Sequence, residues 1–191
     1  MARPDLGKAL LGIARSAIGV ELGMPGQDKP AHALLGQPGA TFVTLKRAGD
    51  LRGCIGSLRA TRPLGVDVHA NAIAAAFGDP RFPPLARFEF EEIVVEVSLL
   101  TADEPIDVAD EADLIARLRP GIDGLILGYG HQRATFLPQV WETLPEPRQF
   151  VAALKRKAGL REDFWSSDVK VARYTVIKWK EREFAAEGAR S

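Results

Sequence analysis

The chain has 191 residues, 46% hydrophobic and 26% charged, the balance of an ordinary globular protein with enough apolar material for a core. Lys plus Arg (25) equals Asp plus Glu (25), so no overall field draws in a polyanion, and nucleic acid is not an expected partner without a local basic patch. One cysteine, Cys54, excludes an intramolecular disulfide; with no run of about 18 apolar residues, and with Asp5 and Lys8 interrupting any signal-peptide core, a soluble cytoplasmic protein without a membrane segment is expected.

Residues 4–22 place Leu6, Leu10, Ile13 and Ala17 at three- and four-residue steps, with Asp5 in the first turn, and predict an amphipathic helix. Gly7, Gly12 and Gly19 each cost that helix up to about 1 kcal/mol, so it depends on tertiary packing. Residues 23–39, with Pro25, Pro30 and Pro38, read as a loop. Residues 41–47 are β-branched and apolar, Ala48-Gly49-Asp50 offers turn chemistry, and 51–58 resume an extended pattern, which makes a hairpin. A helix capped by Thr61, with Pro63 in its first turn and Leu64, Val68, Ala72 and Ala75 on one face, runs to Gly78.

Ile93, Val95, Val97 and Leu99 alternate with Val94, Glu96, Ser98 and Leu100 in a central strand. Asp110 caps a short helix to Leu118, 124–129 and 133–137 form a second hairpin about Gly130-His131, and 150–158 form a helix closed by Gly159. Val169, Val171, Thr175 and Ile177 then alternate along one long last strand. Strands and helices do not alternate regularly, so the expected fold is α+β, a mixed, mostly antiparallel sheet packed with helices. Two blocks, about 41–100 and 124–179, each read as hairpin, helix and strand, an internal duplication of pattern. The expected organisation is an N-terminal helix and loop (1–39) packing on a domain of residues 40–184, with a polar tail at 185–191.

Two apart on a strand, Arg52 and Cys54 share a face, and Gly56 leaves that face open beyond them. A guanidinium beside a thiol favours the thiolate, so Cys54 is the candidate nucleophile or ligand and Arg52 the residue that tunes it. Gly53 and Gly56 are candidates for close approach of a ligand or backbone. The competing reading is a small buried cysteine with Arg52 paired to an acid. Asp79-Pro80-Arg81-Phe82-Pro83-Pro84 is a loop stiffened by three prolines, in which Asp79 and Arg81 either orient a polar substrate or staple the loop to the sheet. Glu96, on an apolar strand, is a candidate partner of Arg52 or Arg81, a general base, or a half-exposed structural carboxylate.

His69 approaches the Cys54 strand if its helix packs over it; otherwise it is a core-edge histidine. His32, His69 and His131 make no ligand spacing with one another or with Cys54, so no metal site is expected, and no phosphate-loop or dinucleotide motif identifies a cofactor. Lys155-Arg156-Lys157 and Lys178-Trp179-Lys180 are either phosphate contacts or a solvated helix face and strand edge.

Leu51-Arg52-Gly53-Cys54-Ile55-Gly56, Ala74-Ala75-Ala76-Phe77 running into Asp79-Pro80-Arg81-Phe82, Glu96-Val97-Ser98, Phe136-Leu137-Pro138-Gln139-Val140, Lys157-Ala158-Gly159-Leu160 and Trp165 occur in one order. In these motifs the chain resembles the AMMECR domain family, also called AmmeMemoRadiSam system protein A, over about residues 42–184. The resemblance implies an α+β fold with an internal duplication, places Arg52, Gly53, Cys54, Gly56, Asp79 and Arg81 in the family's motifs, and implies a pathway shared with a Memo-like protein and a radical SAM protein. It supplies no settled reaction. The expectation is an enzyme, or a substrate-binding subunit of one, using Cys54 and Arg52 on a small polar substrate or modified macromolecule. The alternatives are a non-catalytic adaptor for those partners and a nucleic-acid-binding module.

Overall fold

The computed structural model describes residues 4–26 and 30–183, and the polar tail expected at 185–191 lies outside them. In chain order the elements are α1 (Pro4–Glu21), β1 (Pro38–Gly39), β2 (Thr41–Arg47), β3 (Asp50–Gly56), β4 (Arg62–Pro63), α2 (Leu64–Phe77), β5 (Ile93–Leu100), β6 (Glu104–Ile106), α3 (Glu111–Arg117), β7 (Gly124–Tyr129), β8 (Gln132–Phe136), α4 (Pro147–Lys157), β9 (Lys170–Tyr174) and β10 (Val176–Lys180). The fold is α+β. It divides into two compact units, one running to Leu100 and resumed at Ile177, the other Thr101–Val176.

In the first unit four strands lie in the order β10-β5-β2-β3, with β1 and β4 as a separate short pair. Alternation sends Val43, Leu45, Val95 and Val97 to one face, where they are buried with Leu10, Ile18, Val68 and Ala72 of α1 and α2. Helix α1 needs a glycine at Gly7 because it is a contact point: a Cβ there would lie 2.4 Å from Trp179 Cδ1 of β10. Helix α2 starts at Leu64 without a side-chain cap, not at a Thr61 cap. Pairing of Arg62 and Pro63 with β1, and donation by Leu64 N to Gln37 O at 2.8 Å, fix its start instead. Asp67 in its first turn is wholly buried and accepts from Thr41 N and Oγ1, both at 2.8 Å, and from Ser57, Asn71 and Arg62, which ties α2 to β2.

The second unit repeats the plan, with strands in the order β6-β9-β7-β8. The third strand of each block, β5 or β9, pairs antiparallel with the first strand of its hairpin, β2 or β7, as an internal duplication requires. Its core gathers Leu114, Leu125, Leu127, Phe150 and Leu154, with Trp141 stacked on Phe150 at 3.8 Å between ring centroids. Asp110 caps α3 by accepting from Asp113 N at 2.8 Å, as its sequence position predicts.

Two expectations are corrected here. The single last strand is two, β9 and β10, in different sheets; unbroken alternation gives no sign of the switch at Thr175, whose N–H donates to Thr101 Oγ1 at 2.9 Å. The basic run at 155–157 is not a free patch. Lys155 is 1% exposed, donating to Glu111 at 2.9 Å and to the carbonyls of Glu162 and Phe164, while Arg156 pairs with Glu162 and Lys157 donates to Thr135 O at 3.0 Å. Lys178 pairs with Glu96 and Trp179 is buried. Among the described residues no helix is long and apolar enough to cross a membrane.

Candidate functional site

Strand β3 forms one edge of its sheet and is reached from β2 through a two-residue turn, Ala48 (φ 51°) and Gly49 (φ 97°). Leu45 pairs with Gly53 and Lys46 with Leu51, which leaves Arg52 as the extra residue of a β-bulge. Bulges at sheet edges re-aim side chains. Beyond it the register resumes: Cys54 pairs with Thr44, and Thr44 with Glu96 on β5. Directly paired residues share a face, so Cys54, Thr44 and Glu96 form a polar row on the face opposite Val43 and Leu45.

The two glycines of the motif serve the chain's own packing. A Cβ on Gly53 would stand 2.1 Å from Ala75 O, where the end of α2 crosses β3, and one on Gly56 would stand 2.3 Å from Phe42 Cγ. Cys54 is half-buried, with Sγ 3.3 Å from Thr44 Oγ1. Its N–H donates to Asp79 Oδ2 at 2.8 Å, and its carbonyl accepts from Arg81 Nη2 at 3.2 Å. Asp79, 4% exposed, also accepts from Arg81 N (3.1 Å), Nε (2.9 Å) and Nη2 (2.6 Å). The Arg81 side chain, helped by both amides and opposed by burial, holds the Asp79 carboxyl far below its ordinary range, and Asp79 in turn raises Arg81.

The Arg52 guanidinium is engaged away from the thiol. It donates to Glu89 through Nε and Nη2, both at 2.8 Å, and to the carbonyls of Pro83 (3.0 Å) and Pro84 (3.4 Å). Glu89, 5% exposed, also accepts from Ala86 N at 2.9 Å and Arg47 at 3.1 Å. The bond from Arg52, against the cost of burial, holds the Glu89 carboxyl down to about 2. Arg52 and Arg81 flank the Phe82 ring, their guanidinium carbons 6.0 and 5.5 Å from its centroid. The cation beside Cys54 is therefore Arg81, whose side chain is 54% exposed.

Glu96, 4% exposed, meets neither arginine; it lies between Lys46 (3.3 Å) and Lys178 (3.1 Å). Burial pushes its carboxyl up, but the two ammonium groups outweigh that and hold it below the ordinary value. His69 is exposed and lines a different cleft, of about 530 Å³, with Ile13 and Ala17 of α1 and Val66 of α2. Among the described residues no group of three or more His, Cys, Asp or Glu side chains could hold a metal ion. Sequence reasoning missed Thr44 and Lys46, cross-strand partners that become visible only once register is known, and Glu89, which the 3-10 turn Arg87–Glu89 brings to Arg52.

These features define an α+β protein of two hairpin–helix–strand units, with a cysteine-bearing edge strand held by a charged, proline-rich loop. The AMMECR1 family model matches residues 11–179, and the chain belongs to that family. It is 39% identical to a protein of Sulfolobus acidocaldarius over 189 residues, covering 93% of this chain and 82% of the relative. It is 40% identical to a protein of Methanothermobacter thermautotrophicus over 182 residues, covering 89% and 91%. The crystal structure of the uncharacterized protein PH0010 from Pyrococcus horikoshii matches with a TM-score of 0.74 and 35% identity, covering 92% of this chain and 91% of that one.

Proposed function

We propose that this chain is a cytoplasmic enzyme, or the substrate-binding subunit of one, that acts through Cys54 on a small polar substrate or a modified macromolecule. The observation that carries the reading is the polar row Cys54–Thr44–Glu96 beside the half-exposed Arg81. A thiol with a hydroxyl at 3.3 Å and a cation hydrogen-bonded to its own residue's carbonyl has the parts of a nucleophile or soft-ligand site. Arg81 faces the substrate, Asp79 orients Arg81, and Arg52 acts as a positioning residue through Glu89 and the loop carbonyls; Gly53 and Gly56 shape the strand. The AmmeMemoRadiSam resemblance adds a Memo-like protein and a radical SAM protein as pathway neighbours.

The test incubates purified protein with a small-molecule extract and follows consumption and covalent adducts by mass spectrometry, with Cys54→Ser in parallel. At least one compound consumed, or trapped on Cys54, by wild type alone is the expected result. Equal consumption by the variant, or no change in any compound, rejects action at Cys54.

A second reading, an adaptor, draws on Phe88, 70% exposed, and Leu51, 42% exposed, which share Arg47 as a neighbour. It expects co-purification with the Memo-like or radical SAM protein that Phe88→Ser abolishes; binding undiminished by that change discards this surface.

A further inference from the structure

Gly128, near the end of the inner strand β7, is a glycine that the fold does not ask for. Its φ is not positive, and a Cβ there would meet nothing closer than 3.7 Å, an ordinary contact. A glycine inside a strand weakens it, and where packing gives no reason it marks a place where something else approaches the backbone. The register shows what flanks it: Arg133 on β8 and Lys170 on β9 both pair directly with Gly128, so all three share one face. That face is opposite Leu127, Ala134 and Val171, which point into the core with α4.

With strands spaced about 4.8 Å, the two cations stand roughly 10 Å apart at their Cα atoms, with a bare floor between them. Both are exposed, and among the described residues neither has a hydrogen-bond, ion-pair or ring partner. This sets them apart from Arg117, Arg119, Lys155 and Arg161 of the same unit, each paired with a carboxylate. All three residues line one cleft of about 490 Å³, whose other walls include Asp103, Asp107 and Ser167.

We infer that the second unit binds a phosphate-bearing small molecule in this cleft, its phosphate seated over Gly128 between Arg133 and Lys170. Arg offers a planar fork and Lys a point charge, both suited to phosphate oxygens, and the missing side chain lets the anion reach the strand between them. The volume lies within the range of small-molecule sites. Asp103 and Asp107 set the ligand class: they repel an extended polyanion, but accept from hydroxyl or amino groups on a compact ligand whose charge sits at one end.

The test titrates the ¹⁵N-labelled full chain with inorganic phosphate and pyrophosphate and follows amide shifts. Saturable shifts are expected at Gly128, Arg133 and Lys170, with affinity falling about tenfold or more in Arg133→Ala and in Lys170→Ala, as loss of one charge-assisted bond implies. Gly128→Ala, which the packing accommodates, retains the spectrum of the folded chain and weakens binding. The inference fails if neither probe saturates by about 10 mM, below even a millimolar site. It also fails if both alanine variants bind as wild type, if succinate binds as tightly as phosphate, or if a single-stranded oligonucleotide binds where the phosphates do not.

Discussion

In the hairpin of the first unit, Thr44 lies three residues before the end of its strand and pairs with Cys54; in that of the second, Ile126 lies three before the end and pairs with Thr135. Both partners belong to outer strands, and the carbonyl of each accepts from a cation at or just after the end of the following helix, Arg81 for Cys54 and Lys157 for Thr135. The rows diverge beyond that point. Thr44 is followed across the sheet by Glu96, whereas Ile126 is followed by Ala172. The same topology thus stands with an apolar middle and no thiol. Fold stability does not demand the hydroxyl, carboxylate and cysteine of the first row, and residues that a fold does not require are where function is sought.

The change with the largest expected effect probes the closest approach. Gly53→Val forces a side chain against Ala75 O and should cost about 3 kcal/mol or more in urea denaturation, whereas its counterpart Ala134, paired with Leu127 as Gly53 is with Leu45, already carries a methyl group. A loss under about 1 kcal/mol would show that α2 can withdraw from β3.

Next come the two edge cations. Arg81→Ala leaves the buried Asp79 with two amide donors and should cost about 1.5 kcal/mol, against about 0.5 kcal/mol for Lys157→Ala, which exposes one carbonyl to water. Equal losses on thermal melting would erase the distinction between an ion-paired and a single-bond edge.

Acid should weaken the first unit through its buried carboxylates. Glu89 titrates at about 2 in the fold against an ordinary 4.5, and Asp79 is lowered further. A depressed carboxyl stabilises fully above its ordinary value, and that contribution is lost as pH falls from 4.5 through about 2. Melting temperature should therefore decline over that window, and Glu89→Gln should be less stable at neutral pH with a shallower decline. An acid limb of unchanged slope would remove Glu89 as its source.

Thr44→Val should have a small effect, within about 0.5 kcal/mol, because its hydroxyl meets only the weak Cys54 Sγ partner and Ile126 fills the matching place in the second unit. A loss above about 2 kcal/mol would mean that the first row is structural after all.

Strand 41–47, the helix ending before Gly78, the alternating strand from Ile93 and both hairpins were legible in the sequence, because period and turn chemistry are local. Register was not. The bulge at Arg52 and the placement of Glu96 between Lys46 and Lys178 depend on which strand lies beside which, and the partnership of Arg52 with Glu89 depends on where the turn Arg87–Glu89 packs. Lys155 is hidden for a related reason: it carries the residue type of a solvated helix face, yet carbonyls from the chain after its own helix enclose it. Arg133 and Lys170, far apart in sequence, become neighbours only through β7.

The clamp that Asp79 and Arg81 place on Cys54 bears on how other chains can meet this protein. An outer strand offers its outward N–H and C=O groups as a template on which another strand can add. At Cys54 both groups are already taken, by a carboxylate and a guanidinium of the same loop. A peptide cannot extend the sheet there without first breaking that ion pair. At Cys54 the edge is closed to strand addition through its backbone, and whatever docks there must do so through side chains.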